Sequence, residues 1–177
     1  MIKDNRILDL TPIDTIFSIK KTSAETNGSA FEMEWELFPY SEGTPLHIHP
    51  CAKEKYTILE GSMDVFINGK WQTLSKGETI TVDEGIPHTF KNSSDKITRV
   101  YNVHEPAMQF ENYFRDLAKV VNKLSGNGKN KLKMNFTVAT YMSMLMNKYP
   151  DEIVSVKPPA FATKILSSLG KLRGCKI

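Results

Sequence analysis

Cysteine is scarce in this chain. Two occur in 177 residues, Cys51 and Cys175, far apart and without C-x-x-C spacing. A disulfide framework is therefore not expected, and a reducing cytoplasm is the default location. Long apolar runs are missing too. No stretch approaches the roughly 18 apolar residues that a membrane span needs. The start of the chain, MIKDNRILDLTPID, scatters charge through its length. It lacks the charged-then-apolar layout of an export signal, so none is expected. There is no internal repeat and no low-complexity tract. Histidine is also sparse, with four in all, which makes the position of each one informative.

Charge is balanced overall but not along the chain. Residues 1–106 carry 11 Lys/Arg and 16 Asp/Glu, a net −5, whereas residues 107–177 carry 12 and 4, a net +8. A basic tail can meet nucleic acid or a membrane surface. Without a dense Arg/Lys stripe, the plainer reading is a solvated helical face or attraction between the two parts. Hydrophobic content of 40% over this length suffices for one cored domain.

The pattern from residue 30 to 105 is of short strands broken by turns. Phe31, Met33, Trp35 and Leu37 alternate with glutamates, the signature of a half-buried strand. KYTILE (55–60) stops at Gly61, MDVFI (63–67) runs into the hairpin pair Asn68-Gly69, and TITV (79–82) stops at Asp83-Glu84-Gly85. HTF (88–90) and ITRVYNV (97–103) complete the series. Turns every 8–12 residues or so indicate an all-β barrel or sandwich. After Pro106 the period becomes helical. Phe110, Tyr113, Phe114, Leu117, Val120, Val121 and Leu124 form one apolar face. Further helices are expected over about 135–148 and about 159–170, the last opened by Pro158-Pro159. The chain thus divides into a β domain, 1–106, and a helical C-terminal extension, 107–177, expected to pack on it. The uncharged, Met-containing run 134–147 reads as a buried helix, with an adaptable lid as the alternative.

Three of the four histidines fall at telling positions. His47 and His49 are two apart in an extended segment, so both imidazoles point to one face. Glu54 opens the next strand, and His88 opens another after a glycine turn. Three imidazoles and one carboxylate suit a borderline first-row divalent ion, and four protein ligands leave open positions on an octahedral ion. His104 closes the last strand, and nothing in the sequence ties it to this group.

These residues carry a family resemblance. GTPLHIHPCAKEKYTILEG (43–61) resembles the first cupin motif, with His47, His49, Glu54 and Gly61 in place, and GETITVDEGIPHTFKN (77–92) resembles the second, with Gly77, Gly85, His88 and Asn92. The likeness covers roughly residues 30–105. Two positions depart from the pattern: Asp83 stands where proline is usual, and Ser41 where the first motif begins with glycine, Gly43 being displaced by two. The resemblance implies a mainly β fold, a double-stranded β-helix (jelly-roll) barrel, holding one divalent ion: Fe, Mn, Ni, Co, Cu or Zn. Strand alternation then puts Tyr56 and Ile58 on the face of Glu54, and Phe90 on that of His88. With Met33, Trp35 and Tyr101 these are the candidate substrate pocket, mostly apolar and suited to a small aromatic or hydrophobic molecule.

Three functions stay open at this point. The first is a metal-dependent dioxygenase with Glu54 as the catalytic proton acceptor. The second is a non-redox isomerase or lyase, and the third a non-catalytic binding or sensory module. A small-molecule ligand and a homodimer covering exposed sheet edges are expected. No helix-turn-helix pattern precedes the first clear strand, so no nucleic-acid partner is expected.

Overall fold

A computed structural model describes residues 6–177. Eleven strands and three α-helices occur among the described residues: β1 (Ile7–Leu10), β2 (Thr15–Lys21), β3 (Phe31–Leu37), β4 (His47–Ile48), β5 (Lys53–Glu60), β6 (Ser62–Ile67), β7 (Lys70–Ser75), β8 (Thr79–Val82), β9 (His88–Lys91), β10 (Thr98–Glu105), α1 (Phe110–Leu124), α2 (Phe136–Lys148), β11 (Val154–Ser155) and α3 (Ala160–Leu172). The strands make two antiparallel sheets, ordered β1-β2-β3-β10-β5-β8 and β11-β4-β9-β6-β7. Their inner faces share one apolar core, in which Trp35 of the first sheet meets Phe90 of the second at 5.1 Å between ring centroids. This is a jelly roll with a helical C-terminal extension.

Local sequence explains most elements. The apolar residues of β3 are all buried and its glutamates half-exposed, as a period of two demands. Asn68 and Gly69 both take positive φ, as the two-residue β6–β7 turn requires. Gly43 is the glycine whose position matters most. Its φ is +68°, and a Cβ there would lie 1.9 Å from the Phe90 carbonyl oxygen. The two-residue displacement within the first motif therefore tracks a backbone contact that only glycine permits.

Three strands were not foreseen. β1 and β2 precede the first strand legible in the sequence and extend the larger sheet beyond β3. β11 is the second surprise. It lies within the helical extension, yet Val154 and Ser155 pair with Ile48 and His47. Val156 continues the contact by donating its N–H to the Leu46 carbonyl at 2.9 Å. The edge beside β4, one of those expected to need a partner molecule, is thus covered by the chain's own return.

The helices are tied down as well. The stripe from Phe110 to Val121 is buried against the sheets, with Phe114 meeting Phe17 edge-on at 5.4 Å. Asp116 on α1 clamps the end of α2. Its carboxylate accepts from Lys148 Nζ at 2.7 Å, Tyr149 Oη at 2.6 Å and Lys119 Nζ at 2.8 Å. Burial alone would raise this carboxyl, but the bonds from Lys119, Lys148 and Tyr149 outweigh it and hold it well below the ordinary range. A depressed carboxylate stabilises the fold above its unfolded pKa of about 4 and loses that contribution as pH falls further. Asp116→Asn should cost about 1–2 kcal/mol at neutral pH. In urea melts the difference from the parent chain should shrink below about pH 4.

Candidate metal centre

The register of four strands assembles the centre. His47 on β4 stands directly opposite His88 on β9. Glu54 on β5 stands opposite His104 on β10, and Tyr56 opposite Asn102. The Gly85 N–H donates to the His49 carbonyl at 2.9 Å, which pins the turn of one motif to the histidine pair of the other. His47, His49, Glu54 and His88 are all buried, and one ligand atom from each lies within 4.8 Å of the others.

Backbone carbonyls aim the three rings. His47 Nδ1 meets Pro45 O and His88 Nδ1 meets Ile86 O, both at 2.8 Å, while His49 Nδ1 meets Glu152 O at 2.5 Å. A carbonyl only accepts, so each Nδ1 carries the proton and donates it. Each neutral ring then turns an Nε2 lone pair to the centre, the arrangement of a metal-ligating histidine. His49 owes its orientation to Glu152, 103 residues away in the extension.

Glu54 is the hub of the polar contacts. Its side chain accepts from Tyr56 Oη at 2.6 Å on Oε2 and from Asn102 Nδ2 at 2.8 Å on Oε1. His49 Nε2 and His88 Nε2 sit 3.0 and 2.9 Å from the same Oε2. Burial pushes the Glu54 carboxyl up, but His104 and His49 outweigh it and hold it well below the usual range. Burial, then the neighbouring His88 and His49, drives His47 well below its ordinary value, so it stays neutral. Burial pulls His88 down, but the Glu54 contact more than compensates and its pKa rises.

These facts test whether a cation fits. Two Nε2 lone pairs about 3 Å from a carboxylate oxygen repel unless a second proton or a shared cation lies between them. Donors bound at about 2.1 Å and at right angles stand about 3.0 Å apart, close to the separations at Glu54. One divalent ion would satisfy all four donors together, and the mixed nitrogen–oxygen set is of the kind first-row ions take.

A cavity of about 60 Å³ adjoins the centre. His47, His49 and Glu54 line one side, and Phe17, Trp35, Phe90, Phe114 and Leu117 supply apolar wall. Of the expected pocket residues, Trp35 and Phe90 lie on it. Met33, Tyr56 and Ile58 are on the inward face but are not among its lining residues, being enclosed in the core. Tyr101 is a correction: it sits on the outward face of β10 and its hydroxyl donates to Glu32. α1 contributes Tyr113, Phe114 and Leu117, which no strand-based reading could have put there.

His104 is a second correction. It is fully buried, lines the cavity, stacks on Phe110 at 4.0 Å and places Nε2 3.3 Å from Glu54 Oε1 without hydrogen-bond geometry. Its even spacing from Val100 and Asn102 was the available signal. The buried side-chain atoms left without a hydrogen-bond partner among the described residues are both His104 nitrogens, Asn102 Oδ1 and Trp35 Nε1. All belong to this centre or its cavity wall.

Residues 34–104 match the family model for the cupin domain. They are a cupin domain. The curated relatives include the HTH-type transcriptional regulator PuuR of Escherichia coli (strain K12), 34% identical over 74 residues. That match takes in 42% of this chain and 40% of the regulator, so the chain spans well under two thirds of that relative's length. Among solved structures, an RmlC-like cupin from Shewanella frigidimarina aligns with TM-score 0.52 at 15% identity, covering 63% of this chain and 92% of that one. KdgF from Halomonas sp. gives TM-score 0.51 at 15% identity, covering 60% and 90%. At these identities the likeness concerns the cupin fold alone.

The hub is testable without any ligand. Tyr56→Phe removes a buried bond to a charged oxygen and should cost about 1.5–3 kcal/mol in denaturant melts. Combined with Glu54→Gln the losses should be non-additive by more than about 0.5 kcal/mol, since both changes break one contact.

Proposed function

We propose that this cupin is a metal-dependent dioxygenase acting on a small, largely apolar molecule. The observation that carries the reading is the apolar cavity opening directly onto His47, His49 and Glu54. A divalent first-row ion held by these residues and His88 would supply Lewis acidity and, if redox-active, electron transfer to dioxygen. The remaining roles belong to the protein. The carbonyls of Pro45, Ile86 and Glu152 hold the three rings in the ligating tautomer. Phe17, Trp35, Phe90 and Phe114 exclude water and receive the apolar body of the substrate. The unpartnered Trp35 N–H and the His104 ring offer polar handles on the cavity wall, so the substrate should carry one or two oxygen atoms able to meet them.

Size narrows the class. A cavity of about 60 Å³ is well below the roughly 150 Å³ that admits benzene. Short 1,3-diketones and similar small oxygenated molecules therefore fit this reading better than phenols or flavonols. A second reading has its own support, because the curated relative over this region is a transcriptional regulator. In that reading the same centre senses a small ligand without turning it over.

One divalent ion per chain should bind, raising unfolding free energy by about 2.7 kcal/mol at 100 times its dissociation constant. A His47→Ala/His88→Ala variant should lose that rise. Full occupancy in the variant would remove the basis of both readings. Protein reconstituted in turn with Fe, Mn, Ni and Co should consume oxygen with a short diketone and not with a flavonol. If no metal supports uptake while small ligands still shift the melting temperature, the sensory reading replaces the enzymatic one.

A further inference from the structure

α3 is amphipathic in the unexpected sense. Thr163, Ser167 and Gly170 are its buried residues. The large apolar side chains face solvent: Phe161 is 67% exposed, Ile165 56% and Leu172 84%, with Leu169 between them also exposed. Positions 161, 165, 169 and 172 follow i, i+4, i+8, i+11 spacing, so they form one stripe, opposite the buried face. The inward face is small because α2 comes close. A Cβ on Gly170 would lie 2.6 Å from Thr140 Cγ2 and 2.7 Å from Met144 Sδ. Helix α3 is thus held by small residues and leaves its apolar ones uncovered. Just past the end of α3, the Arg173 guanidinium lies over the exposed ring of Phe136, 5.1 Å from its centre.

The charges around the stripe choose among occupants. From residue 153 to the last residue, 177, there is no Asp or Glu, while Lys157, Lys164, Lys171, Arg173 and Lys176 are present. A second copy docking through the same stripe would bring like charges together across a two-fold axis, which is unfavourable. An anionic lipid surface is complementary in both respects. It takes apolar side chains a few ångströms below its headgroups and attracts the flanking cations. The net −5 of residues 1–106 would turn the β domain away from such a surface while the +8 extension approaches it.

We propose that α3 is an interfacial docking helix by which this protein lies on anionic membranes, Phe161, Ile165, Leu169 and Leu172 entering the headgroup layer and the surrounding lysines and Arg173 contacting lipid phosphates. No helix among the described residues is long and apolar enough to cross a membrane, so the contact is peripheral. It is independent of the metal centre.

The full chain should co-sediment with vesicles of phosphatidylglycerol and phosphatidylcholine and not with phosphatidylcholine alone, and 0.5 M salt should weaken binding severalfold. F161S/I165S/L172S should lower vesicle affinity at least tenfold with an unchanged unfolding midpoint, because these side chains contribute little to the fold. No binding to anionic vesicles would overturn the proposal. So would light scattering that shows a dimer which the triple variant converts to monomer, since a second copy would then be the occupant. Equal binding by the triple variant would overturn it as well.

Discussion

Glu54 brings a carboxylate into the interior of a jelly roll at 2% exposure, and much of the surrounding structure answers that placement. A buried charge is tolerated only when it is paired and hydrogen-bonded. Tyr56 and Asn102 donate to its two oxygens, and His49, His88 and His104 stand around them. These partners come from β5, β9, β10 and the residue just past β4, so strand pairing in both sheets is constrained at one point. A slip of one residue in the β5–β10 register would turn Asn102 and His104 to the opposite face.

The helical extension is part of this construction. Its backbone at Glu152 orients His49, β11 covers the edge at His47, and α1 closes one wall of the cavity. Without β11, β4 would be the edge of the smaller sheet, where its carbonyl and N–H groups would face water. The extension occupies those groups with its own backbone and reaches the centre without contributing a ligand side chain. Its three helices do different work. α1 is a conventional amphipathic helix buried against the sheets, α2 bridges, and α3 keeps its large apolar residues outward.

The acidic front and basic back acquire a geometric sense from this arrangement. Ion pairs join the two parts, as Lys131 with Asp14 at 2.9 Å. Most extension cations remain on the surface, and those of α3 flank uncovered apolar area. Charge segregation and exposed hydrophobic surface therefore coincide at one end of the chain, a combination that mutual attraction between the parts does not account for.

The sequence by itself determined a barrel or sandwich of short strands, the helix positions and the four candidate ligands, and the jelly roll was what the family resemblance implied. These depend on local signals: alternation with period two, turn glycines such as Gly61 and Gly85, the 3.6-residue stripe of α1, and side-chain types at set spacings. Only the tertiary structure decided what meets what. β1 and β2 were missed because apolar Ile7 and Ile16 stand at outward positions and polar Thr15 at an inward one, which blurs the alternation, and β11 because two residues have no pattern to read. His104 was passed over because its place beside Glu54 depends on the register of distant strands, not on spacing within a motif. Tyr101 was misplaced because alternation fixes which residues share a face but not which face turns inward. The Glu152 carbonyl carries no side-chain signal, since a backbone acceptor is present at every position. The outward stripe of α3 was equally hidden: a period of 3.6 marks an apolar face, and only packing tells whether the fold buries it.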